Sequence, residues 1–442
     1  MHVTFIQPSV GRKHDGSPYP RSWLMEPLGL ATLSALTPVG HARVFYDDRI
    51  DPIPYDIPTD LVCLTVETYS ARRSYQIAAA YRKRGVRVVM GGFHPTLVPE
   101  EAAAQADAIL LGDAEGCWAR LLADAEAGRL CARYQSVAPE FGLVTPNRSI
   151  FGRHTYGLLS LLESSRGCAF NCEFCSISAF FRQSVRYRPV ETVAAEAARL
   201  GRRLFFVDDN LATDPQRLAL LCEAMIPLRR TWIGQASLQV ARDPTLLRLM
   251  RRSGCIGLLI GLESLQAANL AAMGKHVNRD AREFSSALDA LRRHGLVVFA
   301  TFIFGYDADT PETFDRTFRF ALDQRFFFAA FNHLVPFPGT PLYTRLQREG
   351  RLLHDAWWLD PDYRFGDVVF RPANFTPHQL ARSCQDCRQR FYGWRSILRR
   401  GTDLRANCGS PLQAASFFAA NLWHGREVAR RTGLPLGFHS GE

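Results

Sequence analysis

The sequence has 442 residues, 47% hydrophobic and 22% charged, which predicts a soluble globular protein large enough for two or three domains. Its formal net charge of +10 comes mostly from arginine and favours anionic ligands, but it is too diffuse along the chain to indicate nucleic acid binding. No apolar run approaches the roughly 20 residues that span a bilayer, and residues 1–6 predict a strand instead of a signal peptide, so we expect a cytoplasmic protein.

Aliphatic runs alternate with helical patterns over residues 1–135. The predicted strands are residues 3–6, 42–46, 61–66, 87–90 and 108–111. The predicted helices are residues 28–36, 70–84, 100–104 and 115–127. This alternation predicts a doubly wound parallel sheet covered on both faces, with ligands at the carboxyl ends of the strands.

The glycine pair Gly91-Gly92 follows one of these strands and lets a ligand approach the backbone, although a turn alone also uses such a pair. With residues 97–101 and 109–115, it resembles the cobalamin-binding domain that precedes many radical S-adenosylmethionine (SAM) modules. The resemblance covers nearly all of residues 1–135 and implies a Rossmann-like cobalamin site. The implied contact residues are Thr65, Glu67, Gly91, Gly92, His94 and Gly112.

The histidine that ligates cobalt in methionine-synthase-type domains has no counterpart here, because the DxHxxG loop is absent. Many cobalamin-dependent radical SAM enzymes also lack that loop. His94 is the one histidine predicted to approach a ligand at this edge, either as a metal ligand or as the cap of a loop. Residues 136–157, with proline and polar residues but no period, predict a linker.

Three cysteines lie within eight residues at the spacing CxxxCxxC: Cys168, Cys172 and Cys175. A 4Fe-4S cluster takes four ligands, usually cysteine thiolates, so three thiolates leave one iron open for a small chelating molecule. A structural zinc site needs a fourth Cys or His, and none follows Cys175 for thirty residues. Burial of all three cysteines in a core is the other alternative, but the residues between and before them are typical of a loop.

This motif resembles the cluster loop of the radical SAM superfamily. In that family the amino and carboxylate groups of SAM chelate the open iron, and an electron from the cluster breaks a carbon–sulfur bond to give a 5′-deoxyadenosyl radical. The resemblance implies that Cys168, Cys172 and Cys175 are the metal ligands and catalytic centre. It also implies a reductase partner such as flavodoxin or ferredoxin.

Residues 158–350 contain six repetitions of strand then helix. The predicted strands are residues 158–162, 204–207, 231–235, 256–260, 297–304 and 328–334. The predicted helices are residues 190–199, 215–228, 244–252, 279–293 and 311–322. Six such units predict a partial (βα)6 TIM-type barrel with its site at the carboxyl ends of the strands.

Those strand ends carry polar residues suited to the ammonium and carboxylate of SAM. By resemblance, Asp208 or Asp209 meets the SAM amino group, and Glu263 and Ser264 contact its ribose or carboxylate. The other implied SAM contacts are Phe174, Ser237 and Gly305. Each polar residue taken alone also suits a helix cap, as Asp, Asn and Ser at such junctions often are.

Residues 351–442 predict a helical region that carries substrate specificity, with one helix at residues 377–399. Cys384, Cys387 and Cys408 suggest either an auxiliary metal site or packing. A basic amphipathic segment around Trp394 either docks on the barrel or contacts a membrane or lipid substrate.

The resemblance implies a radical SAM enzyme that uses a 4Fe-4S cluster, SAM and cobalamin to methylate an unactivated carbon of a small-molecule or lipid-like substrate. In such enzymes one SAM supplies the methyl group by way of cobalt and a second yields the radical. Two alternatives stay open at this point. One is a cobalamin-independent radical rearrangement, cyclisation or SAM-fragment transfer, and the other is an iron–sulfur redox sensor or electron carrier.

Overall fold

The computed structural model of the chain describes residues 1–13, 15–19, 24–136, 141–142, 144–152, 154–275 and 283–438. Its first part is a parallel sheet in the order β2-β1-β3-β4-β5-β6. The strands are β1 His2–Gln7, β2 Ala42–Asp47, β3 Leu61–Thr65, β4 Arg87–Gly91, β5 Ala108–Leu111 and β6 Arg133–Gln135. The helices are α1 Leu28–Leu36, α2 Ala71–Lys83, α3 Phe93–Leu97, α4 Pro99–Gln105 and α5 Trp118–Glu126.

Both faces of this sheet are buried, as its continuous apolar strands predict. Successive side chains of β3 point to opposite faces. Leu61 and Cys63 join one apolar cluster with Trp118, whereas Val62 and Leu64 join another. The predicted doubly wound sheet is confirmed, with β6 and α3 as additions.

The second sheet is also parallel, in the order β14-β13-β12-β11-β10-β7. Its strands are β7 Ser160–Leu162, β10 Arg203–Phe206, β11 Thr231–Gln235, β12 Cys255–Glu263, β13 Val297–Phe304 and β14 Phe328–His333. A separate antiparallel ribbon, β8 Ser165–Arg166 and β9 Arg186–Tyr187, lies between β7 and β10 in the chain. The helices are α6 Ser176–Phe181, α7 Val190–Arg199, α8 Pro215–Met225, α9 Pro244–Arg252, α10 Ala267–Ala272, α11 Phe284–Arg293, α12 Pro311–Asp323 and α13 Pro341–Arg348. Neighbours in the sheet follow chain order, which is the arrangement of a partial barrel, as predicted. Residues 279–282 of one predicted helix lie outside the described residues.

Three further helices follow, α14 Pro377–Phe391, α15 Trp394–Gly401 and α16 Pro411–Arg431. The single helix predicted at residues 377–399 is wrong, because the chain breaks between α14 and α15. Tyr392 lies at this break, where its hydroxyl accepts from the Ala329 backbone N–H at 3.2 Å and donates to the Ala329 carbonyl at 2.9 Å. The Arg388 Nε donates to the Phe331 carbonyl at 2.9 Å. These bonds close the open edge at β14, which would otherwise expose unpaired backbone groups.

The chain between α13 and α14 turns back to the first sheet. Trp357, Trp358 and Tyr363 pack into the same cluster as Val62 and Leu64. This segment has no helix, so only the part of the C-terminal region from Pro377 onward fits the predicted helical character. Among the described residues, no helix combines the length and apolar content required to cross a membrane.

Candidate active site at the cysteine loop

The cysteine loop connects β8 to α6 and is held by backbone contacts that only certain residues allow. Gly167 has φ +89°, and a Cβ there would lie 2.0 Å from the Ser184 carbonyl oxygen. The Glu173 backbone N–H donates to the Met273 carbonyl at 3.0 Å, and its carboxylate pairs with the Arg345 Nη2 at 2.8 Å. The loop is therefore fixed on both sides before any cluster binds.

Cys172 is buried, and Cys168 and Cys175 are half-buried. Burial raises the pKa of Cys172 to about 11, and the nearby Lys275 ammonium opposes that shift. No three Cys, His, Asp or Glu side chains among the described residues are placed to hold one metal ion. A single zinc needs all its sulfur ligands about 2.3 Å from one point, whereas each thiolate of a cubane binds a different iron. The loop fits a cluster better than a zinc ion.

Two aspartates follow β10, and the structure gives them different surroundings. Asp208 is buried and accepts from the hydroxyls of Ser164 at 2.6 Å and Ser165 at 2.5 Å, so its carboxylate holds the strand that leads into the cysteine loop. Among the described residues, the Asp209 carboxylate accepts only the Gly167 N–H, at 2.8 Å, and it lines a cavity. Burial raises the pKa of Asp209 to about 6. Of the two, Asp209 has a carboxylate oxygen left for a ligand.

Glu263 lies at the end of β12 with φ +65°, a conformation that non-glycine residues seldom adopt. Its carboxylate pairs with the Lys275 Nζ at 2.6 Å. Ser264 is buried and accepts from the Gln266 N–H at 3.0 Å, as a turn residue does. After β11, the Ser237 hydroxyl is buried without a hydrogen-bond partner in the described chain.

The two remaining predicted SAM contacts have mixed surroundings. Phe174 is half-buried and packs against the main apolar cluster of the barrel. Gly305 has φ +111°, and a Cβ there would lie 2.8 Å from Leu380 and 3.0 Å from Phe370. Close packing against the C-terminal region therefore explains the glycine without any ligand.

A cavity of about 420 Å³ lies between the two sheets. Five of the six predicted cobalamin contacts line it: Thr65, Glu67, Gly91, Gly92 and Gly112. The opposite wall comes from residues that flank the cysteine loop in the chain and in space: Glu163, Ser165, Arg166, Ile177, Phe180, Phe181, Val207 and Asp209. The carboxyl ends of the first sheet thus face the loop that carries the three cysteines.

The glycines of this cavity bring backbone to its surface. Gly92 has φ +105°, and a Cβ there would lie 2.9 Å from the Val66 carbonyl oxygen. Glu67 lines the cavity with an exposed side chain, and no described cation pairs with its carboxylate. Burial within the protein raises the pKa of Glu67. The cavity therefore offers open backbone and, at this wall, the carboxylate of Glu67.

The structure corrects the prediction for His94. Its side chain is fully buried and does not line the cavity. The Nε2 atom lies 3.1 Å from the Tyr75 hydroxyl and 3.0 Å from a Glu101 carboxylate oxygen, and the ring packs on Trp358. The imidazole thus joins the first sheet to the returning C-terminal segment, and no histidine is among the described residues that line the cavity.

Arg166, two residues before the first cysteine, was not predicted as a site residue. Its guanidinium contacts Glu163 at 2.9 Å, Asp113 at 3.1 Å and Glu115 at 2.7 Å. Asp113 also pairs with Arg186. Because Asp113 and Glu115 follow β5, this network joins the carboxyl ends of the strands of the first sheet to the start of the cysteine loop. These ion pairs join residues about fifty positions apart, and a single sequence has no local pattern that predicts such long-range contacts.

The C-terminal cysteines do not form a second site in the part of the chain that the structure describes. Cys384 and Cys387 are buried, and burial raises both thiol pKa values, that of Cys387 to about 12. The Cys387 thiol lies 3.8 Å from the Phe314 carbonyl. Packing is therefore the role that the structure supports for both.

Comparison with known proteins agrees with this geometry. Residues 162–321 match the sequence profile of the radical SAM superfamily. The chain is a radical SAM enzyme. An iron–sulfur sensor or simple electron carrier, the non-enzymatic alternative, is therefore set aside.

Two curated relatives of this radical SAM enzyme come from Chlorobaculum tepidum, and both are named as methyltransferases. The chain is 29% identical to bacteriochlorophyllide d C-12(1)-methyltransferase, over 85% of this chain and 84% of the relative. It is also 29% identical to bacteriochlorophyllide d C-8(2)-methyltransferase, over 84% of this chain and 87% of the relative.

The fold of the radical SAM enzyme is that of a solved structure, OxsB, which is described as a cobalamin-dependent SAM radical enzyme with aqua-cobalamin and SAM bound. The TM-score is 0.69 at 16% identity, over 97% of this chain and 71% of that chain. The match covers both sheets, which supports a cobalamin-domain fold followed by a radical SAM barrel.

Proposed function

We propose that this enzyme transfers a methyl group to an unactivated carbon of a large, mostly apolar substrate, using a 4Fe-4S cluster, SAM and cobalamin. The observation that carries the proposal is the cavity between the sheets. One wall consists of the glycine-rich strand ends of the cobalamin-type fold, and the other consists of residues directly before and after the loop that carries Cys168, Cys172 and Cys175. Cobalamin on the first wall would supply the methyl group, and SAM at the cluster beyond the second wall would supply the radical, so both would act on one substrate in the cavity.

The residues present fit these groups. Three thiols on one loop leave a fourth ligand position to SAM, and the exposed backbone at Gly91, Gly92 and Gly112 suits close approach of a large ring system. When bound, the cofactors supply methyl transfer and radical formation, while the protein binds, orients and excludes water.

We assign the protein groups as follows. Asp209 accepts from the SAM ammonium, because Asp208 is occupied by Ser164 and Ser165. The free hydroxyl of Ser237 donates to the SAM carboxylate, and Glu263 accepts from the ribose hydroxyls. Lys275 orients Glu263 at the end of β12 through an ion pair of 2.6 Å.

The inner face of the barrel suggests the substrate class. Phe302 packs outward on Phe320 of α12, so Phe299, Thr301 and Ile303 of β13 face inward. These inward residues are only half-buried in the described protein. Together with the relatives that act on bacteriochlorophyllide d, this face favours a planar tetrapyrrole as the first substrate to test.

The test is turnover of the anaerobically reconstituted enzyme with bacteriochlorophyllide d, SAM and reduced flavodoxin or ferredoxin, which we infer to be the electron donor class. We expect equal amounts of S-adenosylhomocysteine and 5′-deoxyadenosine, together with a methylated product. Release of only one by-product would refute the scheme, and Cys172→Ala serves as the inactive control.

A cobalamin-independent reaction is the second candidate, favoured by the position of His94 away from the cavity. Titration with hydroxocobalamin separates the two. Saturable binding to the wild-type protein supports methyl transfer, and no binding supports the second candidate.

A further inference from the structure

The last two helices carry an apolar surface that faces solvent. Trp394 and Leu398 of α15 are 65% and 53% exposed, and Leu422 of α16 is 53% exposed. Trp394 and Leu398 lie four positions apart and therefore share one side of α15. Exposed apolar residues that cluster on one side of a protein mark interaction sites more often than isolated ones do.

Packing of α15 against α16 places these residues together. A Cβ at Gly425 would lie 2.9 Å from Tyr392, and one at Gly401 would lie 2.9 Å from Phe418. The two helices therefore run antiparallel, with the segment that contains Trp394 and Leu398 opposite the segment that contains Leu422. Ile397 lies on the buried side of α15 and Phe417 on the buried side of α16. Trp394, Leu398 and Leu422 therefore lie on the solvent-facing sides of the two helices.

Positive charge surrounds this surface. The sequence of residues 377–431 contains ten arginines and three acidic residues. Arg400 is buried, and Arg390 and Arg399 pair with aspartates of α12, so the charge at the surface itself comes from Arg395 and Arg426. Arg395 extends over the Trp394 ring at 5.3 Å, and Arg426 lies on the exposed side of α16. Aromatic and aliphatic residues beside arginines are the pattern of helices that lie on anionic membranes.

The same charge disfavours two other occupants. A second copy of the chain would bring two arginine-rich surfaces together, which like charges oppose. An acidic electron donor would dock far from the cysteines, because His424 of α16 packs near the rings of Phe299 and Phe328 in the first halves of their strands. The cysteine loop lies at the other end of the barrel, and the eight residues of β13 span about 26 Å.

We propose that the outer side of α15 and α16 is a docking surface for an anionic lipid bilayer. It contains Trp394, Arg395, Leu398, Leu422 and Arg426. The apolar side chains enter the headgroup region and the guanidinium groups contact lipid phosphates. The protein attaches to one leaflet without crossing it.

The experiment is flotation of the full, cluster-loaded chain with vesicles of phosphatidylcholine alone or with about 30% phosphatidylglycerol. We expect binding to the anionic vesicles that weakens in about 0.5 M NaCl, where the Debye length is short. Replacing Arg395 and Arg426 by Glu should lower the bound fraction by about tenfold or more. The triple substitution Trp394→Asp, Leu398→Asp and Leu422→Asp should abolish it.

Two matched variants control for charge and polarity elsewhere. Leu158→Asp changes an even more exposed apolar residue outside the surface, and Arg248→Glu reverses an exposed arginine on α9. Both should float like the wild type, and iron content equal to that of the wild type shows that a variant has folded.

Three results would overturn the proposal. They are failure of the wild type to float with anionic vesicles, flotation of the triple variant at the wild-type level, and a wild-type dimer in light scattering that the triple variant converts to monomers. The last result would assign the surface to a second copy. Because none of these measurements requires turnover, they test the surface separately from the proposed reaction.

Discussion

The position of His94 shows that a histidine predicted at a strand end can serve packing instead of a ligand. The sequence correctly places it just after Gly91-Gly92, but the short helix α3 turns its ring toward Tyr75, Glu101 and Trp358. Trp358 is more than 250 residues away, so no local pattern could predict the contact. The three cysteines could be predicted, because all of them lie on one loop and their spacing in the sequence matches the ligands of a cubane.

Replacement of His94 by Gln should therefore leave cobalamin binding unchanged. The variant should lose roughly 2 kcal/mol of stability, because a buried hydrogen-bond network is disturbed. Absorption titration with hydroxocobalamin and urea denaturation of the apoprotein measure the two effects. A changed cobalt spectrum with unchanged stability would contradict the structure and restore the ligand role.

The carboxyl of Glu67 should make the stability of the folded protein depend on pH. Burial raises the pKa of its carboxyl in the folded protein above the unfolded value, so the folded state loses stability as pH rises through the folded pKa. Glu67→Gln removes this loss. The apoprotein variant should gain more in Tm at pH 8 than at pH 5, measured by calorimetry with Glu100→Gln, an exposed carboxyl on α4, as the control. An equal gain at both pH values would mean that the carboxylate is compensated.

At the scale of elements, strands β11 and β13 and helices α7 and α9 match the predicted bounds because each has a clear period and a clear start. Asp243 with Pro244, for example, caps α9 through bonds to two backbone N–H groups. The strand β6 was missed because it has three residues and only Tyr134 is buried. Helix α16 lies within the predicted helical region, but its bounds were not predicted because small and aromatic residues obscure its period.

The cluster loop depends on Gly167, which combines a positive φ with contact to the Ser184 carbonyl. Gly167→Ala should prevent cluster assembly, because the loop must move to remove the clash. Gly85→Ala is the matched control, since Gly85 also has a positive φ (+77°) but open space around its Cα, and it should cost only about 1 kcal/mol. Iron content after anaerobic reconstitution measures the difference. Full iron content in Gly167→Ala would show that the loop tolerates the change.

At the scale of the molecule, the two sheets are joined by the chain after β14. Trp357 is fully buried, donates from its indole N–H to the Pro336 carbonyl at 3.0 Å and packs on Tyr69 of the first domain. A parallel sheet and a partial barrel could both be predicted from their periods. The returning segment could not, because it has no period and its role depends on surfaces that exist only after both sheets fold.

Trp357→Ala should therefore destabilise the protein by roughly 3–5 kcal/mol, the usual cost of removing a buried Trp. Trp394→Ala, at an exposed position, should change stability by less than about 0.5 kcal/mol. Thermal unfolding of the two variants beside the wild type measures this. Equal stability of both variants would show that the returning segment does not hold the sheets together.

The account as a whole is tested most directly by counting cofactors on the full chain after anaerobic reconstitution with iron, sulfide and hydroxocobalamin. We predict about four irons and four sulfides per chain, as in a cubane, with one cobalamin. Cys172→Ala should lose the iron and keep the cobalamin, because the two sites lie on different sheets. A wild-type protein that is colourless and free of iron, or a Cys172→Ala variant that keeps a full cluster and turns over, would contradict the account.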